Sequence, residues 1–164
     1  MTTWNTRGGT PARKPTCALI TGSSQGLGRA LADECAGRGM DLVLAALPDT
    51  GLPEVARIIE RTHGVRVEVV EMDLAAADAP ARLCARMREK VFADADALRR
   101  LGVGYNSRFG DSTLGQNETT IELNVGALVR LTHMLLPQLK QRGRAWILNV
   151  ASLAAYGEVF VDRQ

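Results

Sequence analysis

The run Thr21-Gly22-Ser23-Ser24-Gln25-Gly26-Leu27-Gly28 has the residue types and spacing to hold a phosphate. It follows the apolar stretch Cys17-Ala18-Leu19-Ile20 and opens a helical pattern, Arg29-Ala30-Leu31-Ala32. Strand, glycine turn and helix in that order are the context a dinucleotide-phosphate site requires. Gly22 can take a tight turn off the strand without a Cβ clash. Gly26 leaves room for a pyrophosphate to reach the backbone, and Gly28 lets the helix pack closely. The free N–H groups and positive dipole end of the helix then face the anion.

The glycine spacing, with Thr21 before it, resembles the T-G-x-x-x-G-x-G signature of the short-chain dehydrogenase/reductase family. Other segments agree, in order, from about Thr16 to Gly157. Asp73-Leu74, after an apolar run, resembles the family's aspartate beside the adenine pocket. Asn124 in Ile121-Glu122-Leu123-Asn124-Val125 resembles its helix asparagine. Ile147-Leu148-Asn149-Val150-Ala151-Ser152 resembles the strand that leads to its catalytic serine. The resemblance implies a Rossmann-like α/β fold and NAD- or NADP-dependent hydride transfer between a small carbonyl and alcohol. Cofactor contacts would fall on Thr21, Gly22, Ser23, Ser24, Gln25, Gly26, Leu27, Gly28, Asp73, Leu74 and Gly102.

By the same resemblance, Ser152 would orient the substrate carbonyl and Asn124 would support a proton-relay water. The family's tyrosine acid/base and its lysine form a Tyr-x-x-x-Lys motif about a dozen residues beyond the serine. From Ser152 that position falls just past Gln164, so the chain as given is expected to be C-terminally incomplete and catalytically inactive. Tyr156 lies only one helical turn beyond Ser152, and no lysine follows it. Tyr105 has no base placed beside it. Neither is assigned as proton donor. A decayed or non-catalytic nucleotide-binding protein of the same fold is the alternative.

Two family features are altered. Where the fourth strand of the family ends in Asn-Asn-Ala-Gly, this chain reads Arg99-Arg100-Leu101-Gly102, keeping Gly102 alone. Two arginines entering a central strand are costly to bury without partners. At the end of the second strand, an Asp or Glu selects NAD and a nearby Arg accommodates NADP. Here the residues are Ala45-Ala46-Leu47-Pro48-Asp49, with Gln25 in the turn, and they do not choose between the two.

The remaining reactive side chains carry little chemistry. His63 sits near a helix C-terminus, where a partly positive ring suits the dipole; His133 lies on the long helix. Neither has a partner at metal-ligand spacing, so no metal site is expected. Cys17, Cys35 and Cys84 are far apart, which indicates neither zinc nor a disulfide framework. Twenty basic against 18 acidic residues give a net charge of +2, no reason to expect nucleic acid or an anionic membrane as partner. The leader lacks an apolar signal segment and no run is long enough to span a bilayer, so a cytoplasmic location is expected.

The elements needed to position these residues follow from the apolar pattern. Residues 1–15 read as a flexible leader, and residues 16–164 as one dinucleotide-binding domain. Strands are expected at 17–21, 41–47, 65–72, 97–103 and 144–150. Helices are expected at 26–38, 53–62, 79–91 and 117–142. Alternation of this kind implies right-handed crossovers and a doubly wound parallel sheet in the order 3-2-1-4-5. The last helix carries a stripe, Leu123, Ala127, Leu128, Leu131 and Leu135, on one face. Pro137 within it is expected to kink or shorten it. In the family this helix bears much of a dimer interface, so a homo-oligomer through 117–142 is implied by the resemblance.

Overall fold

The computed structural model describes residues 17–89, 95–100, 109–141 and 145–150. Strand and helix alternate as β1 (Cys17–Thr21), α1 (Gly26–Gly37), β2 (Asp41–Ala46), α2 (Leu52–His63), β3 (Val67–Glu71), α3 (Ala79–Glu89) and β4 (Ala95–Arg100). Then come α4 (Leu114–Ile121), a π-helical turn (Glu122–Gly126), α5 (Ala127–Gln141) and β5 (Trp146–Asn149). The five strands form one sheet in the order β3-β2-β1-β4-β5. All four pairings are parallel. This is the doubly wound, Rossmann-like order expected from the alternation.

The central strands read as continuous apolar runs because both of their faces are covered. Alternate residues of β1 and β2 serve opposite layers. Cys17, Leu19, Val43 and Ala45 pack with Leu83, Cys84 and Met87 of α3 and Leu131, Leu135 and Leu139 of α5. Ala18, Ile20, Leu42 and Leu44 pack with Ala32, Cys35 and Ala36 of α1 and Leu52, Val55 and Ile59 of α2. Each fully buried Leu or Ile contributes about 1.5–3 kcal/mol, so the two layers supply most of the folding free energy.

Several boundaries differ from the sequence expectation for identifiable reasons. The strand expected from residue 65 begins at Val67. The Arg66 N–H donates to Asp41 Oδ1 at 2.9 Å and the Val67 N–H to Glu60 Oε1 at 3.0 Å, so side chains take over the strand's entry. The fourth strand lies two residues earlier than expected, at Ala95–Arg100, with Ile20 paired to Arg99. The helix expected at 117–142 starts instead at Leu114. Thr113 caps it: Gln116 N–H donates to Thr113 Oγ1 at 3.3 Å, and Thr113 N–H donates to Gln116 Oε1 at 2.8 Å. This reciprocal pair is a capping box. That helix is also not one α-helix, because the π-helical turn interrupts it at Glu122–Gly126. Pro137 does not end it, and α5 runs through to Gln141. The leader expected at residues 1–15 lies outside the described residues.

Candidate functional site

Parallel pairing brings the C-terminal ends of β1, β2, β3 and β4 to one edge of the sheet. In open α/β sheets the ligand crevice lies outside these ends. The turn after β1 occupies the centre of that edge. Gly22 has φ +66° and Gly26 φ +54°, the left-handed region that favours glycine. Gly22 N–H donates to the Ala45 carbonyl at 2.8 Å, and the Ser23 hydroxyl donates to the same oxygen at 3.4 Å. Thr21 and Ser23 are buried and fix the base of the turn. Gln25, Gly26 and Leu27 form its exposed tip.

The approach of α1 to this turn is tight. A Cβ on residue 28 would stand 2.1 Å from the Gly22 carbonyl oxygen, so only glycine fits without a shift. At Gly26 nothing lies within 4 Å of the Cβ position. The first turn of α1 carries no acidic side chain, and Gln25 makes no side-chain cap. Its N–H groups therefore face open space at the positive end of the helix. This cradle fits a pyrophosphate.

Asp73 follows β3 on the same edge. Its Oδ1 accepts from the Ala75 N–H at 2.9 Å, which locks the turn, while the residue itself is exposed. Leu74 is buried in the layer beneath α3 and α5, so its side chain serves the core. Leu47, just after β2, is 47% exposed. Asp49 beside it has φ +59°.

Asn124 lies in the middle of the π-helical turn and is half-buried. The Ala127 N–H donates to the Glu122 carbonyl five residues back, and Leu123 packs against the α3–α5 layer. Inserted π-turns of this kind occur frequently at functional sites. Glu122 and Arg130 flank the turn and pair with each other through both guanidinium N–H arms. A spacing of eight gives no α-helical signal for this pair. Ser152, Gly102, Tyr105 and Tyr156 lie outside the described residues.

His63 is engaged in a structural contact, its Nε2 standing 2.8 Å from Asp33 Oδ1 and tying α2 to α1. Burial pushes the Cys84 thiol up from its ordinary value, with Arg88 opposing. Among the described residues no three His, Cys, Asp or Glu side chains cluster as metal ligands. No described helix is long and apolar enough to cross a membrane.

A doubly wound parallel sheet with a glycine turn at the N-terminus of its first helix defines the dinucleotide-binding class of α/β folds. The profile of the short chain dehydrogenases matches residues 16–161, and the chain belongs to that family. L-sorbose reductase from Gluconobacter frateurii, solved with NADPH and L-sorbose, superposes with a TM-score of 0.80 at 34% identity, covering 87% of this chain and 54% of that one. A short-chain dehydrogenase from Sphingobium yanoikuyae, in complex with NADPH, gives 0.78 at 32% identity, covering 86% and 55%. The 17-beta-hydroxysteroid dehydrogenase type 3 of Rattus norvegicus is 31% identical over 138 residues, 82% of this chain and 44% of that protein. The chain thus spans about half the length of the relatives it matches.

Proposed function

We propose that this chain supplies the nucleotide-holding part, from residue 16 onward, of an NAD(P)-dependent oxidoreductase acting on a small carbonyl or alcohol. The observation that carries this reading is the cradle at residues 22–28, where Gly28 seats α1 directly on Gly22 and leaves the helix N-terminus open. When bound, NAD(P)H would give a hydride to a carbonyl, or NAD(P)+ would take one from an alcohol. The backbone N–H groups at the start of α1 hold the pyrophosphate, Asp73 borders the adenine, and Asn124 and Ser152 serve the reacting end. The solved relatives bound to NADPH support this cofactor class. Leu47 and Asp49 leave the choice between NAD and NADP open.

Neither Tyr105 nor Tyr156 has a lysine four residues on. Positioned acid/base catalysis is worth about 10²–10⁴-fold, so the 164 residues alone bind cofactor without useful turnover. Arg99 and Arg100 at the end of β4 favour a second reading, nucleotide binding without catalysis. Titration of NADPH and NADH, followed by their fluorescence, separates binding from chemistry. The reading expects saturable binding that Gly26→Val abolishes, and no cofactor oxidation with a panel of aldehydes and ketones. Absence of binding to the unaltered chain would refute it. Robust oxidation abolished by Ser152→Ala would refute the inactive assignment.

We further propose that a second copy of the chain docks on the outer face of α4 and α5, as the resemblance implies. Ile121 of α4, Val125 of the π-helical turn and Val129 of α5 follow one another four residues apart along that side and are 63%, 56% and 60% exposed.

A further inference from the structure

Glu122 and Arg130 are eight residues apart, a spacing that does not bring side chains together on a regular α-helix. Eight α-helical steps leave two positions about 80° apart around the axis. A π-turn absorbs one residue, so the same pair is spaced as if by seven steps, two turns apart and within about 20° of alignment. The side chain of a helical residue leans toward the N-terminus, so the long Arg130 side chain reaches back toward Glu122. Its two N–H arms meet the two carboxylate oxygens. Gly126 leaves their path clear. A Cβ there would lie 2.5 Å from Glu122 Oε1 and 2.6 Å from Oε2.

We propose that Glu122 and Arg130 are positioning residues for Asn124: their bidentate pair, running over the bare backbone of Gly126, latches the π-helical turn that carries it. The assignment of a function to Asn124 rests on the oxidoreductase reading above; the latch itself does not. The ion pair exists only while the extra residue stays in the turn. Relaxation to a continuous α-helix would rotate Arg130 away from Glu122 and change the face on which Asn124 sits. The pair therefore stabilises one register of Asn124 against the other.

The test is amide hydrogen exchange and the ¹H–¹⁵N spectrum of the full chain without cofactor. Glu122→Gln, Arg130→Gln and Gly126→Ala are each expected to speed exchange at residues 123–127 by about 1.5- to fivefold, the size expected for a partly exposed ion pair. Residues 131–139 should keep their protection. The side-chain amide signals of Asn124 should move in all three variants and return toward their original positions in Arg130→Lys, which keeps the charge. Glu122→Gln combined with Arg130→Gln should do no more than either alone. Arg57→Gln, which removes the surface pair with Glu54, is the control and should leave Asn124 unmoved. Unchanged exchange at 123–127 in both Glu122→Gln and Arg130→Gln would overturn the latch, as would an equal change along all of α5. A latch that passes while the chain fails to bind NADPH or NADH would leave the positioning standing and sink the oxidoreductase reading instead.

Discussion

Gly28 lies directly against the carbonyl of Gly22, where an added Cβ would sit 2.1 Å from the oxygen and 2.7 Å from the carbon. Both atoms are backbone, and the Gly22 N–H is itself tied to Ala45, so the contact cannot be relieved by a rotamer change. Gly28→Ala is expected to cost about 1–3 kcal/mol through overpacking. It should also tilt the N-terminus of α1 and weaken NADPH binding. At Gly26 there is space but the backbone is left-handed, so Gly26→Ala should cost only about 1 kcal/mol. Urea midpoints of the two variants check the order; a Gly28→Ala chain as stable as the unaltered one would contradict the packing.

Leu47 is expected to control cofactor preference when given a charge. It is exposed immediately after β2, where a guanidinium can reach a ribose 2′-phosphate. A charge-assisted hydrogen bond contributes about 1.5–3 kcal/mol, so Leu47→Arg should shift the NADPH-to-NADH affinity ratio about tenfold or more toward NADPH. The gain should shrink with added salt. Parallel fluorescence titrations at two ionic strengths measure it, and an unchanged ratio would place the 2′-position elsewhere.

Cys84 makes stability sensitive to alkaline pH. Burial beneath the sheet raises its thiol above the ordinary value of 9.0, while Arg88 offsets part of the shift. A raised value in the folded state means that the native chain holds this proton more tightly than the unfolded chain. The contribution is therefore fully present below the unfolded value and is lost as pH rises through the folded one. Urea midpoints between pH 7.5 and 10.5 should fall more steeply for the unaltered chain than for Cys84→Ala. Coincident slopes would show that the thiol does not titrate differently in the two states.

The elements most legible in the sequence were those whose pattern has one physical cause. β1 and β2 are apolar along their whole length because helices cover both faces, and the glycine turn after β1 is dictated by left-handed backbone at Gly22 and Gly26. The strand edges were less legible. The entry to β3 is decided by Asp41 and Glu60, side chains outside the strand, 25 and 7 residues from the N–H groups they accept from. The start of α4 is legible in the Thr113–Gln116 capping pair, three residues before the expected start at residue 117. The apolar stripe conceals the π-turn. In it Leu123, Ala127, Leu131 and Leu135 recur every four residues, close enough to the α-helical period to read as one unbroken helix. The Glu122–Arg130 pair becomes recognisable only once the extra residue is known, since a spacing of eight has no meaning on an α-helix. The turn after β1 and Asp73 after β3 lie at the same end of the parallel sheet, and the Leu74 side chain packs in the core.

Two apolar surfaces should make the chain associate, and they can be separated. One is the outer face of α4 and α5, with Ile121, Val125 and Val129 exposed. The other is β5, the outermost strand of the sheet among the described residues, where Leu148 is 42% exposed. Helix faces of this kind associate through defined packing, giving a discrete dimer, whereas an unpaired strand edge adds further strands without closing. Val129→Glu should convert a dimer to monomer on size-exclusion chromatography with light scattering, leaving slow, concentration-dependent aggregation in place. Leu148→Lys should do the reverse, suppressing aggregation and dye binding to apolar surface while the dimer persists. Because the two sites lie on different elements, the double variant should combine both effects. A chain that remains monomeric at high concentration without binding such a dye would contradict both assignments. A dimer lost in Leu148→Lys and kept in Val129→Glu would move the interface from the helices to the sheet edge.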